Sequence, residues 1–224
     1  MCNFDEAEYR HRFAAWAAST AAMAANIGGR LGSGFDVRTG KKMIEDSELR
    51  KDLLPGWDAA LFNSSDDLDE WHRKKRYLIC EISKRYREKH PFYKNKKFPQ
   101  FTHGIAAKLI NVYMKALFLG SVQDCMQEKN RKKQKLIHPP IDATVLEGLK
   151  NKIKERRENG NPIENEAEVQ RAICKLGRTG NPVNKAKSWT ALTSDEYQEI
   201  IDQFRHLIGN EGLWTIEKYW PGHQ

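Results

Sequence analysis

The sequence predicts an all-α protein of two lobes, and three observations carry that expectation. Residues 105–119 are apolar on nearly every side, and their polar members Lys108, Asn111 and Lys115 fall at i, i+3 and i+7, one ridge of a 3.6-residue helix. Helix start and stop residues bracket the other periodic segments. No stretch of useful length shows strand alternation, and no internal repeat or low-complexity linker appears. The lobes are expected at about 1–90 and 91–224, with a cleft between them, in a single helical unit.

Taken in order, residues 5–25 form the first expected helix, with Phe13, Trp16, Ala17 and Thr20 along one face and Gly28-Gly29 stopping it. Its alanines allow a second helix to come close. Residues 31–39 are glycine-rich and polar, a loop, and 41–53 make a short helix ended by Leu54-Pro55. After the break at Asn63-Ser64-Ser65-Asp66, acids Asp67, Asp69 and Glu70 open a helix whose Trp71, Leu78, Ile82 and Tyr86 face inward. Arg73 to Arg76 and Lys84 to Lys89 are expected on its basic outer face. His90-Pro91 ends it. The central helix follows, and then a charge run over 127–135, a solvated loop or helix end that is also able to grip a nucleic-acid backbone through Arg131, Lys132 and Lys133.

Ile137-His138-Pro139-Pro140-Ile141-Asp142 leads into a helix from Ala143 with Val145, Leu146 and Leu149 inward and a charged tail over 150–158. Loops at 159–162 and 177–182 bracket a helix near 164–176. Thr193-Ser194-Asp195-Glu196 opens the next helix, with Tyr197, Ile200, Ile201, Phe204 and Leu207 as its face, and Gly209 closes it. Residues 213–220 form a last, aromatic helical piece.

Composition narrows the function. No apolar run reaches the roughly 18 residues a bilayer span needs, and neither signal peptide nor anchor is evident, so the protein is expected in the cytoplasm and off the membrane. Cys2, Cys80, Cys125 and Cys174 have no CxxC pair and no framework spacing, so they read as reduced thiols; no metal and no cofactor is expected. The net charge of +8 is unevenly spread. Residues 71–135 hold 18 Lys/Arg against 4 Asp/Glu, or +14, which leaves −6 for the other 159 residues. A block of that kind attracts a polyanion, and nucleic acid is the commonest; a ribosome-like or acidic-protein partner satisfies the same field.

Several residues carry chemistry. A partly desolvated lysine can act as an amine nucleophile, which makes Lys108 a catalytic candidate; the alternative is a ridge that faces solvent or a partner carboxylate. Asp142 at a helix start is either a plain N-cap or a carboxylate kept ionised by the helix dipole and free amides. Lys115 reads as a phosphate contact or solvated surface. Lys94, Lys96 and Lys97 alternate with aromatics over 92–101, a pattern that stacks bases and holds phosphates or else anchors a loop. His103 and His138 flank the central helix and Asp142, placed either to meet across a cleft or to serve as polar loop residues, and they read as loop residues rather than metal ligands. Glu217, Tyr219 and Trp220, with Trp214, floor a pocket for an extruded base or belong to the core.

Gly104-Ile105-Ala106-Ala107-Lys108 before an apolar helix, and Pro140-Ile141-Asp142 opening another, resemble the helix-hairpin-helix DNA glycosylases, especially their 8-oxoguanine branch. The chain also resembles uncharacterised bacterial proteins with a His-Pro-Pro-Ile-Asp run. The glycosylase resemblance covers roughly residues 100–150. It implies a helix-hairpin-helix-like element, Lys108 as nucleophile, Asp142 as catalytic aspartate, and Gly104 and His103 beside a DNA phosphate. Three departures stand out: Ala106 replaces the second hairpin glycine, Pro99 interrupts the preceding helix, and the step from Lys108 to Asp142 is 34 residues.

The resulting expectation is a DNA glycosylase, with or without lyase activity, that flips and excises a damaged or modified base from double-stranded DNA. The rival is a non-catalytic helical nucleic-acid-binding or phage-defence interaction protein. No obligate protein partner is expected.

Overall fold

A computed structural model describes residues 6–25, 36–89, 92–93, 96–97, 100–120, 127–160 and 189–219. It is an all-α fold. The helices are α1 (Glu6–Ala25), α2 (Val37–Asp46), α3 (Leu49–Leu53), α4 (Ser65–Lys89), α5 (His103–Phe118), α6 (Glu128–Gln134), α7 (Ala143–Glu158) and α8 (Ser194–Ile208). Short 3-10 turns lie at Gly56–Asp58, Ala60–Phe62, Trp189–Ala191 and Leu213–Tyr219. The expected helix at 164–176 lies outside the described residues, and no described helix is long and apolar enough to cross a membrane.

Local chemistry explains where the helices begin. Asp36 accepts from the Thr39 amide at 2.9 Å and caps α2, and Thr102 accepts from the Ile105 amide and caps α5. Thr193 and Glu196 bond to each other's backbone amides at the start of α8, a capping box. The single expected helix over 41–53 is two helices. Ser47 and Glu48 separate them, and Glu48 adopts the left-handed conformation at φ 58°.

The apolar interior falls into two clusters that meet at α5. The first holds residues of α1 to α5 and ends with Ile137; the second holds Ile141, α7, α8, Leu213 and Ile216, and takes Ala107 from α5. Helix α1 packs along α5 and α2, and its buried residues Ala14, Ala15, Ala18 and Ala22 are small enough to let neighbouring backbones approach. The expected inward face of Phe13 and Trp16 is therefore corrected. These rings are 52% and 50% exposed because the alanine face, rotated away from them, takes the core position.

Helix α4 brings a second correction. Arg73, Lys74, Lys84 and Arg85 are exposed as expected, but Lys75 and Arg76 are buried. Lys75 donates to the Ser47 carbonyl at 2.8 Å and pairs with Asp52 at 2.9 Å.

The hairpin element does not take the expected form. Gly104 and Ala106 are already inside α5, and no helix lies between Lys89 and His103 among the described residues. Phe92–Tyr93 and Lys96–Lys97 pair there as two short antiparallel strands, Phe92 opposite Lys97 and Tyr93 opposite Lys96. Gly104 is buried, and a Cβ on it would collide with the Trp189 carbonyl oxygen. Its missing side chain serves close packing of the 3-10 turn against α5, so a phosphate contact at Gly104 is not open in this fold.

Candidate active site at the seam of the two cores

Helix α5 carries Lys108 and Lys115 on one ridge, and each meets a carboxylate from the second cluster. Lys108 Nζ donates to Asp142 Oδ2 at 3.1 Å, and Lys115 Nζ donates to Glu217 Oε2. Both pairs border one cavity of about 440 Å³, whose apolar wall includes Ala21 of α1 and Val112, Ala116, Leu119 and Val145. That volume falls within the range of small-ligand sites. The cavity thus sits where residues from both hydrophobic clusters converge.

Asp142 is held from two directions. Its Oδ1 accepts from the Thr144 and Val145 amides, both at 3.0 Å, which caps α7 and leaves Oδ2 for Lys108. Lys108 is held too. Its side chain is 13% exposed, and its ammonium lies 5.0 Å from the centre of the Trp189 ring, within cation–π range. The expected N-cap role and the expected charge role of Asp142 use different oxygens of the same carboxylate.

A directed chain of hydrogen bonds, which the sequence did not announce, supports this corner of the molecule. Arg76 has only donors, so its Nη1 at 2.7 Å makes His72 Nδ1 the acceptor and places the His72 proton on Nε2. His72 Nε2 then donates to Asn111 Oδ1 at 2.7 Å, which turns the Asn111 amide nitrogen toward the Pro139 carbonyl at 2.7 Å and Tyr197 Oη at 2.9 Å. Tyr197 passes its own proton toward His138 Nδ1 at 3.1 Å, and His138 Nε2 donates to Asp69 Oδ1 at 2.8 Å. Arg205 clamps both Asp69 oxygens, at 2.6 and 2.8 Å. The chain runs from a buried cation to a carboxylate through two neutral histidines.

Electrostatics agree with that wiring. Burial, with the neighbouring His138 and Arg76, pulls His72 well below the ordinary histidine value. Burial also lowers His138, although Asp69 opposes the shift. For Asp69, burial works upward, but hydrogen bonds from His138 and Arg205 outweigh it and hold the carboxyl far below the usual range. Through the Asn111–Pro139 bond, this network fixes the strap that delivers Asp142. Asn111 stands on the same face of α5 as Lys108, so one helix holds the amine and the strap of its carboxylate partner.

The remaining expected site residues scatter. His103 is half-buried with its ring edge-on to Tyr77 at 4.6 Å, while His138 faces His72 and Tyr197, so the two do not meet across a cleft. Lys133 turns back to donate to the Trp57 carbonyl, which commits its ammonium to the fold. Lys132 makes an exposed pair with Glu128, and Arg131 is exposed beside it on α6. Glu217 lines the cavity; Tyr219 lies beyond it, with the Lys218 ammonium over its ring at 5.3 Å. Lys96 and Lys97 form the second short strand, and Lys94 and Trp220 lie outside the described residues.

Compared with protein-family models, curated proteins and solved structures, the chain finds no match.

Proposed function

We propose that this protein is a DNA-binding enzyme that breaks the N-glycosidic bond of a base turned out of the duplex, with Asp142 and Lys108 acting on the sugar. The observation that supports the reading is the 3.1 Å approach of Lys108 Nζ to Asp142 Oδ2 on the wall of a cavity large enough for a base. Loss of the base leaves positive charge on the sugar, which a fixed carboxylate stabilises. The C1′–N bond breaks with its electron pair going to the base, and the Lys108 ammonium supplies the proton the departing base needs. The amine so formed is the nucleophile for C1′, and opening of the resulting ring adduct yields a Schiff base. Exposed cations of α4 and α6, together with Lys96 and Lys97, supply the attraction for phosphate.

One observation favours a second reading. Lys108 is already committed to Asp142 and to the Trp189 ring, as a purely structural pair would be. A helical nucleic-acid-binding or defence-system interaction protein without catalysis needs nothing more from it. Base release from duplexes carrying a panel of modified bases separates the two. The enzyme reading expects one base to be released by the wild type and not by Asp142→Asn; no release from any duplex that the protein binds favours the binding module.

A further inference from the structure

Helix α1 buries its alanine face and leaves an aromatic stripe in solvent. Tyr9 is 61% exposed and Met23 38%, and Phe13 and Trp16 lie between them with half of each ring uncovered. With Thr20, these residues follow one another at steps of four, three, four and three, the spacing of a seam that a second helix covers in a two-stranded coiled coil. The Phe13 and Trp16 rings stand together, their centroids 6.1 Å apart, so the exposed apolar surface is one patch rather than scattered side chains. The apolar periodicity of α1 is therefore real, but the fold of one chain does not cover it.

The charges of the helix indicate what does. Glu6, Glu8, Arg10, His11 and Arg12 all lie in its first third, and residues 13–25 carry no ionisable group. Arg10 pairs with Glu6 at 2.6 Å and Arg12 with Glu8 at 2.7 Å, so the stripe lacks the surplus of positive charge that a helix lying on an anionic membrane carries. A parallel pair of α1 helices would set these ions against their own copies. An antiparallel pair sets the charged end of each against the uncharged, small-residue half of the other, so the two halves of this one helix are complementary to each other. Only a twofold pairing uses that complementarity. We infer that the stripe is the contact of a twofold-symmetric dimer, with α1 antiparallel to α1 of a second copy, Phe13 of each against Trp16 of the other and Tyr9 against Thr20.

The area sets the strength. Three half-exposed rings leave on the order of 300 Å² per copy. Doubled, and with Met23, Ala17 and the stem of Arg12 added, the contact approaches the roughly 1,000 Å² at the low end of specific interfaces, which makes a weak and reversible dimer.

Sedimentation velocity of the full chain without DNA tests the inference. The wild type is expected to pass from monomer to dimer between about 1 and 500 µM, the range of a small interface. Phe13→Glu and Trp16→Lys, each at a half-exposed position, are expected to keep the fold by circular dichroism and to raise the dissociation constant at least about tenfold, as loss of a central aromatic anchor does. An equimolar mixture of the two variants is expected to associate within about threefold of wild type, because the antiparallel pair sets the new carboxylate against the new ammonium in one layer and leaves the other layer native. A wild type that stays monomeric throughout overturns the dimer, as does either variant associating like wild type. A mixture no tighter than its components overturns the antiparallel pairing. Should either variant fail to fold, Tyr9→Lys at the more exposed end of the stripe replaces it; it is expected to weaken association at least about fivefold, and unchanged association there overturns the inference equally.

Discussion

Lys108 and Asp142, 34 residues apart in sequence, meet at 3.1 Å because α5 and the strap before α7 are tied together at Asn111 and Pro139. The pair is a product of the fold, since each residue is oriented by a contact the other does not make: Lys108 by Trp189, Asp142 by the first amides of α7.

The two duties of Asp142 can be separated by substitution. Asparagine keeps a cap of equal quality and loses the charge, whereas alanine loses both. Asp142→Ala is expected to lower stability by about 0.5 to 2 kcal/mol more than Asp142→Asn in urea melts. Equal losses would show that the cap contributes little.

The buried hydrogen-bond chain is expected to act as a unit. Tyr197→Phe removes the acceptor for Asn111 and the donor for His138, and leaving such groups unpaired costs about 1 to 3 kcal/mol each. A double-mutant cycle of Tyr197→Phe with Asn111→Ala is expected to show coupling of about 0.5 to 3 kcal/mol. Strict additivity would mean that the two bonds are independent.

Stability should depend on pH through His72 and His138. Both are lowered in the folded protein, so the unfolded chain binds more protons below its histidine value of about 6.5. Their contribution is fully present above that value and is lost as pH falls through it. Asp69, also lowered, stays ionised in this window and adds its own loss only below about 4, where the unfolded carboxyl takes up its proton. Urea midpoints are therefore expected to decline between about pH 7.5 and 5 before any Asp69 effect. A flat profile across that range would mean that neither histidine stays neutral in the fold.

The basic residues should divide by what holds them. Changing both Lys96 and Lys97 to Ala is expected to weaken DNA binding and to reduce the salt slope by about 0.9 for each phosphate no longer neutralised. Lys75→Ala is expected instead to lower the melting temperature, because its ammonium serves Ser47 and Asp52 inside the protein. A DNA defect in a stable Lys75→Ala protein would contradict this division.

Much of the fold was legible because helix signals are local. The polar ridge of α5, the capping box at Thr193 and the break after Gly209 need only a few neighbouring residues to be read. The pairing of Lys108 with Asp142 was legible only through order and motif. What stayed hidden depends on distant partners. Arg76 reads as one more surface cation in a basic run, and only the convergence of α4, α5 and α8 makes it the buried start of a hydrogen-bond chain. The inward turn of the α1 alanines, in place of Phe13 and Trp16, follows from how closely α5 approaches, which no single helix encodes.

The most direct test of the proposed chemistry is borohydride trapping on duplexes carrying modified bases, with wild type, Lys108→Gln and Lys115→Gln compared at matched DNA occupancy. The expected result is a covalent protein–DNA band for wild type with one base, its loss in Lys108→Gln, and its retention in Lys115→Gln on any duplex that variant still binds. A band of wild-type intensity from folded Lys108→Gln, or no band from wild type on any duplex it binds, would contradict a Schiff base at Lys108.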